Sequence, residues 1–252
     1  MKIVRIWDGT KVSYGILDIS SVIPIEGNIY GEYQLSKKEY TLSEVQLLVP
    51  CEPTKIICIG LNYHDHAKEV SLPIPKEPVV FLKPPSTLTA SGSNIVYPVQ
   101  CNRLDYEAEL AIIIGTVVKD IKPTEVMDCV FGYTCANDIT ARNLQPLDGQ
   151  WTVAKSFDTF CPIGPYIETE ISPDSLDIKL WLNGNIKQNS NTSQMIFDVP
   201  YLVSYLSKIM TLFPGDIIIT GTPSGVGPMN PGDTVEVEIT GLGKLVNRVV
   251  SK

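Results

Sequence analysis

Histidine is almost absent from this chain, with only His64 and His66. Its six cysteines (Cys51, Cys58, Cys101, Cys129, Cys135, Cys161) form no Cys-x-x-Cys pair and no compact framework. A Cys/His zinc site therefore has little to be built from, and the thiols are expected to be reduced and mostly core-filling, as in a cytoplasmic protein. No run of about 18 apolar residues is present, so no membrane span is expected. Met1-Lys2-Ile3-Val4-Arg5 leads straight into a strand-like pattern, and no signal peptide is expected. Basic residues are outnumbered, 20 against 28 acidic, for a formal charge of −8. That balance argues against nucleic acid and against anionic membrane surfaces, though not against a small anion held by a local cation. There is no GxGxxG, and the Gly-rich stretch Gly221 to Gly227 lacks the Gly-Lys-Ser/Thr of a phosphate-binding loop. Internal repeats and low-complexity segments are also missing.

What is present is enough for a full core, since 44% of the 252 residues are hydrophobic. Residues 1–50 alternate apolar and polar side chains around Asp8-Gly9 and Tyr14-Gly15, then reach a short helical stretch near Leu42–Leu48. They read as a small β-rich domain, closed by the breaker Val49-Pro50-Cys51-Glu52-Pro53. In the second domain, residues 51–252, strands are expected at Lys55–Gly60, Val79–Leu82, Val130–Asn137 and Gly215–Thr220. A hairpin is expected around Asn183-Gly184, and a core-facing helix over Val199–Met210.

The chain is organised around Leu104-Asp105-Tyr106-Glu107-Ala108-Glu109-Leu110-Ala111-Ile112-Ile113-Ile114-Gly115. Alternation puts Glu107, Glu109, Ala111 and Ile113 on one face and Tyr106, Ala108, Leu110 and Ile112 on the other. Two carboxylates about 7 Å apart at an effective dielectric of about 20 repel by roughly 2.4 kcal/mol. Buried, such a pair needs a cation, a shared proton or an opening to water; a solvated first half of the strand is the alternative. Asp138, ending the next interior strand, suits an N-cap or a third carboxylate ligand, and an all-oxygen set selects Mg²⁺ or Mn²⁺. Lys155 stands alone in an apolar run, where it either snorkels to the surface or stabilises an oxyanion beside such a cluster. On a helix, His66 and Glu69 are i, i+3 neighbours, fit for a carboxylate-oriented base or for an exposed ion pair.

Seven blocks in order carry a resemblance: GLNYHDHAKE, FLKPPST, LDYEAELAIIIG, GYTCANDITARNLQ, WTVAKSFDTFCPIGP, TSQMIFDVPYLVSYLSKI and GDIIITGTPSGVG. With these the chain resembles the fumarylacetoacetate hydrolase family, in its acylpyruvase and 2-hydroxyhepta-2,4-diene-1,7-dioate isomerase-like branch. The resemblance implies a β-rich α+β fold, a mixed β-sandwich roll, assembled as a homodimer with a divalent ion. It implies Glu107, Glu109 and Asp138 as metal ligands, His66 and Glu69 as a catalytic dyad on a mobile lid, and Lys155 as oxyanion stabiliser. Gln145 and Thr222 fall where the family holds a substrate's oxo-acid end. Some acylpyruvase-like members carry Arg where this chain has Leu61, which bears on substrate identity; no role is assigned to Arg142. The expected activity is metal-dependent C–C hydrolysis of an acylpyruvate-type 2,4-dioxo acid through an enolate. Oxaloacetate-type decarboxylation and diene-dioate isomerisation are the alternatives, and a non-catalytic metal-binding protein is a weaker one.

Overall fold

Three aliphatic runs set the architecture: Ile56-Ile57, Ile112-Ile113-Ile114 and Ile217-Ile218-Ile219. β-branched residues without polar alternation favour strands covered on both faces. In the computed structural model, which describes residues 1–252, these runs lie side by side in the middle of one large sheet. Ala108–Ile114 pairs antiparallel with Val130–Asn137 on one side and with Ile217–Ile219 on the other. Ile217–Ile219 runs parallel to Ile56–Gly60, and Val79–Lys83 closes that end.

At the other end Val130–Asn137 pairs with Cys161–Glu168, which pairs in turn with Lys2–Trp7. The strands Lys2–Trp7, Val12–Asp18 and Ser21–Gly27 thus extend the same sheet as a meander. The short helical stretch expected near Leu42–Leu48 is a single 3₁₀ turn, Leu42–Glu44, followed by the short strand Gln46–Leu47.

A five-stranded sheet packs on one face of the large one, in the order Asn94–Tyr97, Gly243–Ser251, Thr234–Ile239, Asp177–Leu182, Asn185–Asn191. Strand alternation decides which core each residue joins. Ala108, Leu110 and Ile112 pack with Ile178, Leu180, Val235 and Val237 between the sheets. Ala111 and Ile113 pack on the opposite face with Ile56, Cys58, Ile217 and Ile219. The helix Val199–Ile209, capped by Asp198 through Tyr201 N–H, buries Val199, Leu202, Val203 and Leu206 in the first of these cores. No helix is long and apolar enough to cross a membrane. All six cysteines are free, and all but Cys129 are buried.

The start of the Ile56–Gly60 strand is pinned to the start of the Ile217–Ile219 strand by one buried carboxylate. Asp216 accepts from Thr54 N–H (3.0 Å), Thr54 Oγ1 (2.6 Å), Lys55 N–H (3.2 Å) and Phe213 N–H (2.8 Å), and it pairs with the Lys55 ammonium. Removing it leaves a partly buried ammonium and three backbone N–H groups unpaired. Asp216→Ala is expected to cost about 3–5 kcal/mol in urea unfolding; a loss below about 1 kcal/mol would place the anchor elsewhere.

Candidate active site

The site is built where the ladder breaks. Leu104–Tyr106 pairs in a small sheet with Thr140–Ala141 and Gly227–Met229, whereas Ala108–Ile114 belongs to the large sheet. Glu107 lies between and belongs to neither. Its N–H donates to Asn137 Oδ1 (2.9 Å), its carbonyl accepts from Asp138 N–H (2.8 Å), and the next N–H, of Ala108, donates to Gln188 Oε1 (2.9 Å). Side chains therefore satisfy the backbone groups that lost their ladder partners.

Glu107 and Glu109 still share a side, and Asp138, just past the end of the neighbouring strand, joins them. One oxygen from each of the three lies within 4.8 Å of the other two. Their exposures are 7%, 2% and 1%, so the solvated-strand alternative is excluded.

Three cations surround this cluster. The Lys155 ammonium, 2% exposed, reaches Glu107 Oε2 (2.8 Å) and Asp138 Oδ2 (2.6 Å), so it does not snorkel. Lys83 bonds the other Asp138 oxygen and the Ile139 carbonyl (3.2 Å). Arg142 bonds Glu107 Oε1 and, through Nε, Asp105 Oδ2 (2.8 Å), itself fully buried.

Burial alone would push the Glu107 carboxyl up; Lys155 and Arg142 outweigh it and hold the group well below the usual carboxylate range. Burial would likewise lower Lys155, but Asp138 and Glu107 keep its ammonium above its ordinary value. Glu109 is different. Its carboxylate has one hydrogen-bond partner, Gly221 N–H (2.6 Å), and no salt bridge. Burial, then the charges of Asp138 and Glu107, push it well above the usual range.

Glu109 supplies the test of fit for a metal. Carboxylates within 4.8 Å repel by at least roughly 3.5 kcal/mol per pair at an effective dielectric of about 20. The cations present are committed to Glu107, Asp138 and Asp105, and Glu109 is left over. One more cation beside Glu109 is what the donor set lacks. Three buried carboxylate oxygens suit a hard divalent ion, and Glu107, Glu109 and Asp138 would hold it.

The other expected residues converge on the same place. His66 lies on the short helix His64–Glu69, and its Nδ1 stands 2.9 Å from Glu69 Oε2. A carboxylate can only accept, so Nδ1 carries the proton and Nε2 keeps its lone pair. Glu69 Oε1 accepts from Gly225 N–H (3.0 Å), which ties this helix to the glycine loop. That loop needs glycine at 221: φ is +92°, and a Cβ would come 2.8 Å from Asn62 Cβ. Arg142 also donates to Gln145 Oε1.

One cavity of about 450 Å³ is lined by His66, Glu107, Glu109, Asp138, Arg142, Gln145, Lys155 and Thr222. Its apolar walls include Leu61, Leu72, Phe81, Leu147 and Trp151. Leu61 holds the left-handed φ of 37°, uncommon for a residue with a side chain, at the rim of this site. His64 is exposed at the start of its helix.

Reasoning from sequence missed Lys83, Asp105 and Gln188 and gave Arg142 no role. For Lys83 a signal existed. It is two residues after Phe81, so both face the same way on the Val79–Lys83 strand. Asp105 and Gln188 act across the fold, and no local pattern marks them.

Comparison with known proteins agrees with this geometry. The family model for the fumarylacetoacetate (FAA) hydrolase C-terminal region matches residues 55–250. The chain belongs to the fumarylacetoacetate hydrolase family. A second model, Rv2993c-like N-terminal, matches residues 1–50. An uncharacterised protein of Methanocaldococcus jannaschii is 58% identical over 198 residues, covering 79% of this chain and 84% of its own. The mitochondrial oxaloacetate tautomerase FAHD2A of Bos taurus is 44% identical over 221 residues, 82% of this chain and 70% of its own. Among solved structures, a 2-hydroxyhepta-2,4-diene-1,7-dioate isomerase from Mycobacterium marinum superposes with a TM-score of 0.94 at 39% identity, covering 100% of this chain and 99% of that one. The chain is thus similar to enzymes of this family and shares their fold, a β-rich α+β arrangement of mixed sheets.

A divalent ion at about 100 times its dissociation constant should stabilise the protein by about 2.7 kcal/mol, or roughly 5–10 °C in melting temperature. Calorimetric scans with Mn²⁺ and with chelator measure the shift. Asp138→Ala should abolish it, and an unchanged shift in that variant would sink the ligand assignment.

Proposed function

We propose that this protein is a divalent-metal-dependent enzyme that moves a proton next to the carbonyl of a small 2-oxo acid, with enol–keto interconversion of an oxaloacetate-type acid as its leading activity. The observation that carries the reading is one cavity shared by an oriented imidazole, a buried ammonium and three converging carboxylates. Mg²⁺ or Mn²⁺ bound by Glu107, Glu109 and Asp138 would supply Lewis-acid polarisation of the 2-oxo group.

The chain's own residues do the rest. His66 Nε2, with its tautomer set by Glu69, removes a proton from the carbon beside the carbonyl and returns it at the other end of the enol system. Lys155 offers an N–H to the oxygen on which negative charge develops. Its pairing with Glu107 and Asp138 keeps it charged at neutral pH. Gln145 and Thr222 hold the acid's oxo-carboxylate end.

Two similar proteins support proton transfer without bond cleavage: one is an oxaloacetate tautomerase, the other a diene-dioate isomerase. Hydrolysis of an acylpyruvate at its C–C bond, the activity put first from the sequence, is the second reading. The same base could take a proton from water, and a 450 Å³ cavity has room beyond a four-carbon acid. A homodimer belongs to the same proposal.

The metal-loaded enzyme, given oxaloacetate enol, should accelerate loss of the enol's ultraviolet absorbance without releasing pyruvate. Chelator should abolish the acceleration, and His66→Ala should lower it about 10²–10⁴-fold. Faster pyruvate release from acetylpyruvate or fumarylpyruvate would establish the hydrolase instead. Pyruvate from oxaloacetate at the rate of enol loss would establish a decarboxylase.

A further inference from the structure

Asn185–Asn191 is the outer strand of the five-stranded sheet, and most of its side chains are exposed. Gln188 alone is fully buried there, between the exposed Lys187 and Asn189. All of its side-chain hydrogen bonds go to the site and its glycine loop, the longest to the Ser224 carbonyl (3.5 Å). Oε1 accepts from Ala108 N–H (2.9 Å), between Glu107 and Glu109. Nε2 lies 2.8 Å from both Thr222 Oγ1 and the Pro223 carbonyl. The loop and this strand are in close approach, since a Cβ at Gly225 would run into the Lys187 carbonyl.

The chemistry of the neighbours fixes the amide's orientation. A backbone N–H can only donate and a carbonyl can only accept, so Oε1 must face Ala108 and Nε2 must face Pro223. Thr222 Oγ1 therefore faces an N–H and must accept. A hydroxyl that accepts from one side keeps its single hydrogen for another direction. Thr222 is 95% buried, lines the cavity and finds no acceptor of its own in the protein. Gln145 is arranged in parallel. Arg142 cannot accept, so Gln145 turns Oε1 to it and keeps the Nε2 donors for the cavity.

We propose that Gln188 is a positioning residue that sets the hydroxyl polarity of Thr222, making it an obligate donor toward the ligand. Together with Gln145 and Lys155 it adds a donor to the cavity wall, matched to carboxylate and oxo oxygens. This rests on the 2-oxo acid reading above, because it assigns Thr222 to that ligand's oxygens. Gln188 acts without touching the ligand, and the same amide steadies the ladder break that presents Glu107 and Glu109.

The test is a double-mutant cycle on binding, independent of turnover. Oxalate, whose oxygens only accept, is titrated calorimetrically into the Mn²⁺-loaded protein. Thr222→Val should weaken binding about tenfold or more, the weight of a hydrogen bond to a charged group. Thr222→Ser should stay within about twofold. Gln188→Met should weaken binding comparably, and adding it to Thr222→Val should cost clearly less than it does alone.

If Gln188→Met does not melt cooperatively, Gln188→Leu, of similar volume and likewise without an N–H for Thr222, replaces it and should lose affinity as Thr222→Val does. Strictly additive losses, or full affinity in a Gln188 variant, would overturn the role of Gln188. If the loaded wild-type protein bound no oxalate, the 2-oxo acid reading and the role of Gln188 would fall together.

Discussion

Three buried carboxylates with an oxygen of each within 4.8 Å of the others impose the constraint to which this structure answers. Each must be balanced, and the chain brings in cations from separate elements to do so. Lys83 comes from an edge strand, Lys155 from a one-turn helix, and Arg142 from the turn after Asp138. Asp105 then holds Arg142 in place. None of these cations reaches Glu109, whose single partner is a backbone N–H, and a fourth, Arg103, is also taken up by Asp105. That shortfall is the physical reason for assigning a divalent ion to the site, and it comes from the side chains themselves.

The scaffold serves this cluster by breaking its own regularity at one residue. A continuous ladder through Glu107 would tie its peptide to neighbouring strands. Instead Asn137 and Gln188 replace the missing backbone partners, and the strand divides between two sheets. The aliphatic half, Leu110–Ile114, is covered on both faces and anchors the break. The glycine loop then touches both ends of the chemistry, through Gly221 to Glu109 and through Gly225 to Glu69. The carboxylate cluster and the short helix that carries His66 are thus referred to one loop.

Much of this was legible in the sequence because the signals are local. Aliphatic runs gave the central strands, strand alternation put Glu107 and Glu109 on one side, and helical spacing paired His66 with Glu69. The seven blocks of resemblance chose between the open alternatives for Asp138 and Lys155 and added Gln145 and Thr222. What was not legible depends on distance along the chain. Gln188 is 80 residues from the Ala108 N–H it receives, and Lys83 is 55 from Asp138. A buried glutamine on a strand of exposed neighbours has no mark until the strand's position in the sheet is known. The break at Glu107 was hidden too, because alternation continues through it.

Glu109 is the one carboxylate of the buried site that no cation reaches until an ion binds. The most direct test is the melting temperature of metal-free protein, wild type against Glu109→Gln, each repeated with Mn²⁺. Removing the unpaired carboxylate should raise the metal-free melting temperature by about 2 °C or more and abolish the rise that Mn²⁺ gives the wild type. A metal-free Glu109→Gln protein that melts below the wild type, or one that keeps the full Mn²⁺ response, would contradict the account.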